Sequence, residues 1–260
     1  MEVVIVPDAE ALGSLVADAI AGLVARRPAA VVGLATGSSP LPVYRDLIAR
    51  HRRDELSFAE CSMVLLDEYV GLAPDHPESY RAFIRRELID HVDLPDERLH
   101  GPATEKPDLA AVCERYDQLL ADLGGVDLQL LGIGSDGHIG FNEPGSSLAS
   151  RTRMKTLTSR TREDNARFFD SIDEVPRHVV TQGLGTILDA RHAILVAAGE
   201  AKAAPIAAMV EGPVAARCPA SVLQFHPHAT VVVDEAAASA LELGGYYRET
   251  YAHKPTWQGL

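Results

Sequence analysis

Three ionisable side chains lie close together in the sequence, directly after a glycine-rich turn. Asp136, His138 and Glu143 fall within eight residues, and the apolar run at residues 128–133 precedes them. Such a run predicts a buried strand, and an open α/β sheet presents polar groups where such a strand ends. A plain turn would also use Asp and Gly, but three ionisable groups on one loop favour a functional site. They predict an acid–base relay, in which a carboxylate orients an imidazole that moves a proton.

A second candidate base is Asp67, which follows the apolar run at residues 62–66. Burying a carboxylate is costly unless the group is paired or used, so a carboxylate at the end of a strand is either a cap or a working base. Glu68 would point to the opposite side if the strand continues, and we therefore expect only one of the two carboxylates at the site. A buried base of this kind suits proton abstraction next to a carbonyl.

The segment Thr36-Gly37-Ser38-Ser39 lies between a predicted strand and a predicted helix. Free backbone N–H groups and hydroxyls in such a place can bind an anion. The loop by itself favours a simpler interpretation, in which Ser38 or Ser39 caps the helix and Pro40 lies near its first position. It matches neither of the glycine-rich nucleotide-binding motifs. Arg167 and Lys202 are candidate anion contacts, although sequence alone cannot select them from 24 basic residues.

Segments with strand character alternate with segments of helical spacing along the chain. The predicted strands are residues 2–6, 29–35, 62–66, 128–133, 152–158, 193–198 and 230–233. The predicted helices are residues 8–27, 41–50, 78–91, 108–123, 161–170 and 183–188, a segment after Glu200 that carries Lys202, and the residues from 235 onward, with an irregular tail at 246–260. This alternation predicts a single-domain, three-layer Rossmann-like α/β fold over residues 1–260, with a mostly parallel central sheet. The loops after Ala35, Leu66, Ile133 and Ala198 then meet at one edge of the sheet.

The composition excludes several classes of partner. The chain has 24 basic and 37 acidic residues, which gives a net charge of −13. Because phosphate backbones and anionic membranes require a basic surface, we expect neither nucleic acid nor a membrane as a partner. The three cysteines form no metal or disulfide pattern, no histidine spacing indicates a metal site, and no apolar run reaches the ~20 residues of a membrane span. We expect a soluble cytoplasmic protein.

Several long motifs, in order, resemble the glucosamine-6-phosphate deaminase (glucosamine-6-phosphate isomerase) family. They cover most of residues 30–236. The motifs are GLATGSSP at 33–40, LDEYVGLAPDHPESY at 66–80, GIGSDGHIGFNEPGSSLASRTR at 132–153, KTLT at 155–158, TREDNARFF at 161–169, TQGLGTILDA at 181–190, VEG at 210–212 and LQFHPHATVVVDE at 223–235.

The resemblance implies an activity and a role for each candidate residue. Family members convert glucosamine 6-phosphate and water to fructose 6-phosphate and ammonia, in amino-sugar catabolism, without a metal or organic cofactor. By this resemblance Asp67 is the base that moves a proton between C2 and C1, and His138 opens the pyranose ring with Asp136 and Glu143 as supporting carboxylates. The implied phosphate site consists of Thr36, Gly37, Ser38, Ser39, Arg167 and Lys202.

The resemblance also implies a regulatory site. Many members are activated by N-acetylglucosamine 6-phosphate at a subunit interface, and the matching positions here are Ser146, Arg153, Lys155 and Thr156. A tyrosine near the C-terminus completes this site in regulated relatives. In this tail either Thr250 or Tyr251 matches that position, and Tyr246 and Tyr247 are close to it. The hypothesis is a partly built effector site whose regulation is lost. Family members include homo-oligomers (hexamers) and monomers, and the sequence does not choose between them.

Three other readings remain open at the level of sequence. A 6-phosphogluconolactonase-like hydrolase shares the fold and a DGH loop, but its chain usually continues differently from the segment Ile139–Pro144 found here. A sugar-phosphate-sensing, non-enzymatic domain would need a DNA-binding module and could dispense with Asp67 or His138, and both are present. Within the deaminases, a preference for galactosamine 6-phosphate would leave no mark in these motifs.

Overall fold

The structure is a computed structural model that describes residues 1–73, 75–166, 169 and 171–260. Its central feature is a sheet of seven parallel strands in the order β1-β10-β9-β6-β2-β3-β5. These strands are β1 (Glu2–Val6), β2 (Val31–Leu34), β3 (Ser62–Leu65), β5 (Leu99–His100), β6 (Leu128–Leu131), β9 (His192–Ala197) and β10 (Ala229–Asp234). Helices cover both faces of this sheet, so the predicted mostly parallel α/β fold is confirmed.

A small antiparallel sheet stands beside the central one. Its strands are β4 (Asp67–Tyr69), β7 (Arg153–Thr156) and β8 (His178–Thr181), with β8 in the middle. The sequence predicted only β7 of these three, and it also missed β5. Strands of two to four residues without long alternation give almost no periodic signal.

Most helices follow the predicted positions closely, but the helix predicted from residue 235 onward begins only at residue 244, because residues 235–243 form mostly turns. They are α1 (Ala9–Arg26), α2 (Leu41–Arg52), α3 (Tyr80–Glu87), α4 (Leu109–Asp122), α5 (Ser159–Asn165), α6 (Leu184–Leu188), α7 (Ala203–Val210) and α8 (Gly244–Ala252), with 3-10 turns at Ile89–His91, Asp96–Arg98, Glu200–Lys202, Pro219–Phe225 and Thr256–Gln258. Asp8 caps α1 as predicted, since its carboxylate accepts the N–H groups of Glu10 and Ala11. The expectation of an irregular tail from residue 246 is wrong, because α8 extends through residue 252 and packs along β1.

The connections define a switch point in the central sheet. From β2 the chain continues to β3 and β5 on one side, and from β6 it continues to β9 and β10 on the other. The chain therefore leaves the neighbouring strands β2 and β6 in opposite directions along the sheet, and a crevice opens at the carboxyl ends of these two strands. Ligands of open α/β sheets bind in this crevice, and it receives the loops that begin at Ala35 and Gly132.

One large apolar cluster fills the space between the central sheet and its helices. Its buried members run from Val3 to Ala238, and strands β6 and β9 are buried along their whole length. Burial on both faces explains why these strands read as continuous apolar runs. Over the described part of the chain, no helix has the length and apolar character required to cross a bilayer.

Candidate active site

A cavity of about 550 Å³ opens at the carboxyl ends of the central strands. It brings together residues from all four loops that the sequence predicted to converge. The predicted site residues that line it are Thr36, Gly37, Ser38, Ser39, Asp67, His138 and Lys202. Arg167 was also predicted here and lies outside the described residues.

Asp67 is a buried carboxylate that has no compensating partner among the described residues. Its side chain is 5% exposed, and no hydrogen-bond donor among the described residues contacts its oxygens. Removal from water raises its pKa well above the ordinary value of 3.8, and the nearby charge of Glu68 adds to this rise. Such a carboxylate takes up a proton far more readily than one on the surface, so it is suited to act as a general base.

Glu68 faces away from the cavity, as strand alternation predicts. Its carboxylate accepts the backbone N–H groups of Tyr69 at 2.8 Å, Tyr80 at 3.0 Å and Arg81 at 2.9 Å. Tyr80 and Arg81 belong to the first turn of α3, where N–H groups have no partner within the helix. Burial raises the pKa of Glu68, and these hydrogen bonds oppose the rise. The two adjacent carboxylates therefore have separate roles, one at the cavity and one at a helix end.

His138 and Asp136 form a close pair on the loop after β6. Nδ1 of His138 lies 2.6 Å from Oδ1 of Asp136, and the hydrogen bond from this imidazole is the main cause of the lowered pKa of Asp136. Because the carboxylate accepts the Nδ1 proton, Nε2 is the ring nitrogen that can exchange a proton with a ligand. A Cβ at Gly134 would lie 2.1 Å from the imidazole, so the ring packs where only glycine leaves room.

Glu143 contacts hydroxyl groups rather than the imidazole. Its carboxylate accepts hydrogen bonds from Thr158, at 3.1 Å, and from Thr161. In the described parts of the chain it makes no hydrogen bond or ion pair with His138. Thr161 lines the cavity, so Glu143 reaches the site through this threonine. Its predicted support of His138 stays a prediction.

The loop from Thr36 to Ser39 presents backbone and hydroxyl groups to the cavity. The prediction that Ser38 or Ser39 caps α2 is wrong: Pro40 is the N-cap, and the described structure shows no side-chain cap there. Gly37 has a φ of 89°, a conformation that glycine adopts without strain. The serine hydroxyls therefore remain available, and the N-terminus of α2 adds a favourable field for an anion.

Lys202 approaches this loop from the other side of the cavity. Its Nζ donates a hydrogen bond to the backbone oxygen of Ile133 at 2.6 Å, which fixes the ammonium group beside the end of β6. The side chain arises from the turn that precedes α7. The hydroxyl loop and a cation therefore line the same cavity.

An aromatic wall, which the sequence did not reveal, lines the cavity beside Asp67. Tyr69 and Tyr80 have ring centroids 4.8 Å apart, Tyr80 stacks on Phe141 at 5.8 Å, and Phe169 meets Tyr69 edge-on at 5.9 Å. Their only signal was their position next to the polar motifs. This wall provides the apolar surroundings that remove Asp67 from water.

Three of the four predicted effector residues, Arg153, Lys155 and Thr156, lie on β7, and Ser146 precedes this strand in the loop after Glu143. Arg153 is half-buried, and burial lowers the pKa of its guanidinium. Arg153 Nη2 and Ser146 Oγ are both buried without a hydrogen-bond partner in the part of the protein that the structure describes. Lys155 is half-buried and Thr156 is exposed. Buried polar atoms without partners are rare, and they mark a place that a polar ligand could satisfy.

A second cavity of about 950 Å³ lies at the opposite edge of the central sheet. It contains His192 and His228, stacked face to face at 3.6 Å, and burial lowers the pKa of His192 to about 3. Its cationic groups are largely neutralised, as Arg191 pairs with Asp127. This cavity is larger, but none of the residues predicted for the site lines it. Within the described ranges, no three His, Cys, Asp or Glu side chains form a cluster able to hold a metal ion.

The family model for glucosamine-6-phosphate isomerases and 6-phosphogluconolactonases matches residues 8–233. A glucosamine-6-phosphate deaminase from Streptomyces coelicolor (strain A3(2)) is 62% identical over 261 residues, covering 100% of both chains. The solved structure of a monomeric glucosamine-6-phosphate deaminase has a TM-score of 0.90 at 43% identity and covers 92% of this chain and 100% of that chain.

A more distant structure, 6-phosphogluconolactonase from Trypanosoma brucei, has a TM-score of 0.74 at 20% identity, with 92% of this chain and 98% of that chain covered. At this identity the likeness shows the fold alone. The chain therefore belongs to the family of glucosamine-6-phosphate isomerases and 6-phosphogluconolactonases, and within it groups with the glucosamine-6-phosphate deaminases.

Proposed function

We propose that this protein converts glucosamine 6-phosphate and water to fructose 6-phosphate and ammonia. The observation that carries the proposal is one cavity that holds two separate groups: a buried carboxylate, Asp67, with no partner among the described residues, and the imidazole–carboxylate pair of His138 with Asp136. An aldose–ketose shift requires both, one group at the carbon acid and another at the ring oxygen. Relatives that match the whole chain carry the name of this enzyme.

The first step assigned to the site is ring opening. His138 Nε2 moves the proton between the C1 hydroxyl and the ring oxygen, and Asp136 stabilises the imidazolium that forms in between. Glu143 has a supporting role through the hydroxyl of Thr161. The product of this step is the open-chain aldehyde, whose C2 proton is acidic.

The second step is proton transfer from C2 to C1 by Asp67. As the C2 proton moves to C1, one proton of the 2-ammonium group passes to the C1 oxygen, so the 2-ammonium aldehyde becomes a 1-hydroxy 2-iminium isomer. Water then adds to C2, and the resulting carbinolamine expels ammonia to leave the ketone of fructose 6-phosphate. The raised pKa of Asp67 favours this role, because a stronger base removes a carbon-bound proton more easily. No metal or organic cofactor takes part in these steps.

The phosphate group belongs at the other end of the cavity. Thr36, Gly37, Ser38 and Ser39 offer hydroxyl and N–H donors, and Lys202 offers a positive charge. Arg167 completes this set by the family resemblance. A phosphate held here fixes the sugar so that C1 and C2 face Asp67 and His138.

We further propose that the protein acts in N-acetylglucosamine catabolism, as one cytoplasmic domain over residues 1–260. The main apolar cluster, which spans residues 3–238, supports the single domain. A relative at 43% identity is monomeric, so a monomer is the simplest state, with a homo-oligomer as the alternative that sedimentation would reveal.

The segment Ser146–Thr156 is proposed as an N-acetylglucosamine 6-phosphate site that is only partly built. The unpartnered atoms Ser146 Oγ and Arg153 Nη2 support binding of an anion there. The tail tyrosines argue against full regulation, because Tyr246 is exposed and Tyr247 and Tyr251 pack against the core. A sigmoidal rate curve that the activator makes hyperbolic would refute the loss of regulation.

The experiment is ammonia release from the purified protein with glucosamine 6-phosphate, with and without N-acetylglucosamine 6-phosphate. Equal amounts of ammonia and fructose 6-phosphate are the expected result. No ammonia from folded protein would overturn the proposed reaction. Galactosamine 6-phosphate and 6-phosphogluconolactone, tested in parallel, would then show whether the neighbouring sugar or the lactone is the substrate.

A further inference from the structure

Asn142 is a fully buried amide between the loop of His138 and the small sheet. The residue is 0% exposed, and its Nδ2 donates to the backbone oxygens of Ile139 at 2.9 Å and Gln182 at 2.8 Å. Its Oδ1 accepts a hydrogen bond from Nη1 of Arg153 at 2.8 Å. These three contacts fit only one orientation of the amide, since a flip would bring its oxygen against two carbonyl oxygens.

The hydrogen bonds of Asn142 reach Arg153 on β7 and Gln182 directly after β8, and β8 is the middle strand of the small sheet. Thr181 pairs with Asp67 of β4 on one side and with Arg153 of β7 on the other. The Thr181 hydroxyl also accepts the backbone N–H of Phe141 at 3.1 Å. Two consecutive residues of the loop, Phe141 and Asn142, are therefore bound to the end of β8.

The part of the loop that these hydrogen bonds hold passes close to both proposed catalytic groups, Asp67 and His138. Gly140 has a φ of 54°, and a Cβ there would lie 3.0 Å from Thr181 Oγ1 and 3.4 Å from Asp67 Oδ2. Ile139, which Asn142 holds through its backbone oxygen, directly follows His138. A shift of this segment would therefore move the imidazole and change the space around Asp67 together.

We propose that Asn142 is a positioning residue that holds the ring-opening loop against β8, and that Arg153 fixes the orientation of its amide. The proposal rests on the proposed function and adds to it a physical link between the effector segment and the catalytic cavity. Because Arg153 Nη2 has no partner among the described residues, an anion bound at that nitrogen would act on the same guanidinium that holds Asn142.

The chain offers matched controls for both residues. Gln224 is a second amide whose Nε2 donates to two backbone oxygens, those of Met209 at 2.7 Å and Gly212 at 2.9 Å, away from the cavity. Arg151 lies two residues before Arg153 and pairs with Asp189 on the surface. The variants are therefore Asn142→Ala with Gln224→Ala, and Arg153→Met and Arg153→Lys with Arg151→Met.

Three readouts separate positioning from general loss of structure. They are kcat and KM for glucosamine 6-phosphate, inhibition by the open-chain alditol 2-amino-2-deoxyglucitol 6-phosphate, and the NMR titration of the His138 ring, assigned with His138→Gln. Asn142→Ala should lower kcat roughly 10- to 100-fold, the loss typical when a reacting group is misplaced. The inhibition constant of the alditol should change less than about threefold, because an open chain requires no ring opening.

The Arg153 variants test the second half of the proposal. Arg153→Met should lower kcat less than Asn142→Ala, Arg153→Lys should retain more activity because it keeps a donor, and the double variant Asn142→Ala/Arg153→Met should be no worse than Asn142→Ala alone. The titration of His138 should shift in Asn142→Ala and not in Gln224→Ala. Both control variants should keep kcat within about twofold.

The proposal is overturned if folded Asn142→Ala keeps its kcat, or if Gln224→Ala loses as much. Weakening of alditol inhibition in parallel with kcat would also overturn it, as that result indicates collapse of the whole cavity. If Asn142→Ala does not fold, equal kcat values for Arg153→Met and wild type reject the link to Arg153. Wild-type protein that releases no ammonia rejects the proposed function instead, and the titration of His138 then decides the positioning role.

Discussion

Replacing Asp67 with asparagine should abolish activity and, at the same time, stabilise the fold. The wild-type carboxylate is 5% exposed and has no hydrogen-bond donor among the described residues. Its negative charge is therefore held in the apolar surroundings without compensation, which is unfavourable for folding. The neutral amide has almost the same shape and removes this cost. It cannot accept a proton from C2, so turnover should fall by about 10³ or more.

The gain in stability has a defined dependence on pH. Because the folded pKa of Asp67 lies above its ordinary value of 3.8, the folded state binds this proton more tightly than the unfolded state. Stability that the protonated form provides is therefore lost as the pH rises from about 4 through the folded pKa. The asparagine variant has no such loss. Its advantage over wild type should be small near pH 4 and reach its full size above the folded pKa.

The size of the effect follows from comparison with a second buried carboxylate. Asp127 is also 5% exposed, but it pairs with Arg27 at 2.9 Å and Arg191 at 3.0 Å and accepts the N–H of Val31 at 2.8 Å. Asp127→Asn breaks charged hydrogen bonds and should cost about 2–3 kcal/mol. Asp67→Asn removes an unfavourable functional group and should gain about 1–2 kcal/mol, which corresponds to a rise in Tm of roughly 2–8 °C.

The assay is thermal unfolding of the wild type and both variants between pH 5 and 9, with ammonia release measured on the same samples. The expected result is opposite signs for two substitutions of identical chemistry and equal burial. A lower Tm for Asp67→Asn at pH 8 would refute the reasoning, because it would mean that the charged carboxylate has a stabilising partner. Near-normal turnover in this variant would remove Asp67 from the mechanism.

Three further substitutions test the remaining parts of the site. His138→Gln should impair ring opening more than the later steps, so an open-chain substrate analogue should recover part of the rate; equal losses on closed and open substrates would contradict this role. Lys202→Ala should mainly raise KM, since a phosphate contact made equally in ground and transition states is uniform binding, and an unchanged KM would count against it. Gly134→Ala should lower kcat by about 10²-fold in folded protein, because a Cβ there would lie 2.1 Å from the His138 ring; full activity would show that the ring can move aside.

The sequence could predict the central sheet because its strands carry a local signal. Strand β6 is buried on both faces, so it reads as an unbroken apolar run that ends at Gly132. Alternation along an extended segment also predicted that only one of Asp67 and Glu68 would face the cavity, and the structure places Asp67 there. These conclusions needed only residues a few positions apart.

The missed features depend on contacts between distant residues. Strand β8 exists because it pairs with β4 and β7, which lie more than 20 residues away, and its own four residues contain little pattern. The cap predicted for α2 failed because Pro40 holds the N-cap position, which leaves the hydroxyls of Ser38 and Ser39 facing the cavity. The contacts of Asn142 could not be read from sequence, since an asparagine in a loop usually serves the turn itself.

The two sheets supply different groups of the site, and under the proposed mechanism this separation would allow two kinds of proton transfer. The central sheet supplies the His138 loop, where Asp136 shares a proton with the imidazole and keeps a lowered pKa. The small sheet supplies Asp67, where burial beside the aromatic wall gives a raised pKa. Because their surroundings drive the pKa values of Asp136 and Asp67 apart, Asp136 can serve as the partner of His138 while Asp67 serves as a free base at the same pH. Thr181 and Asn142 join the His138 loop to the small sheet close to both groups, and under the proposed positioning role this connection sets the distance between Asp67 and His138.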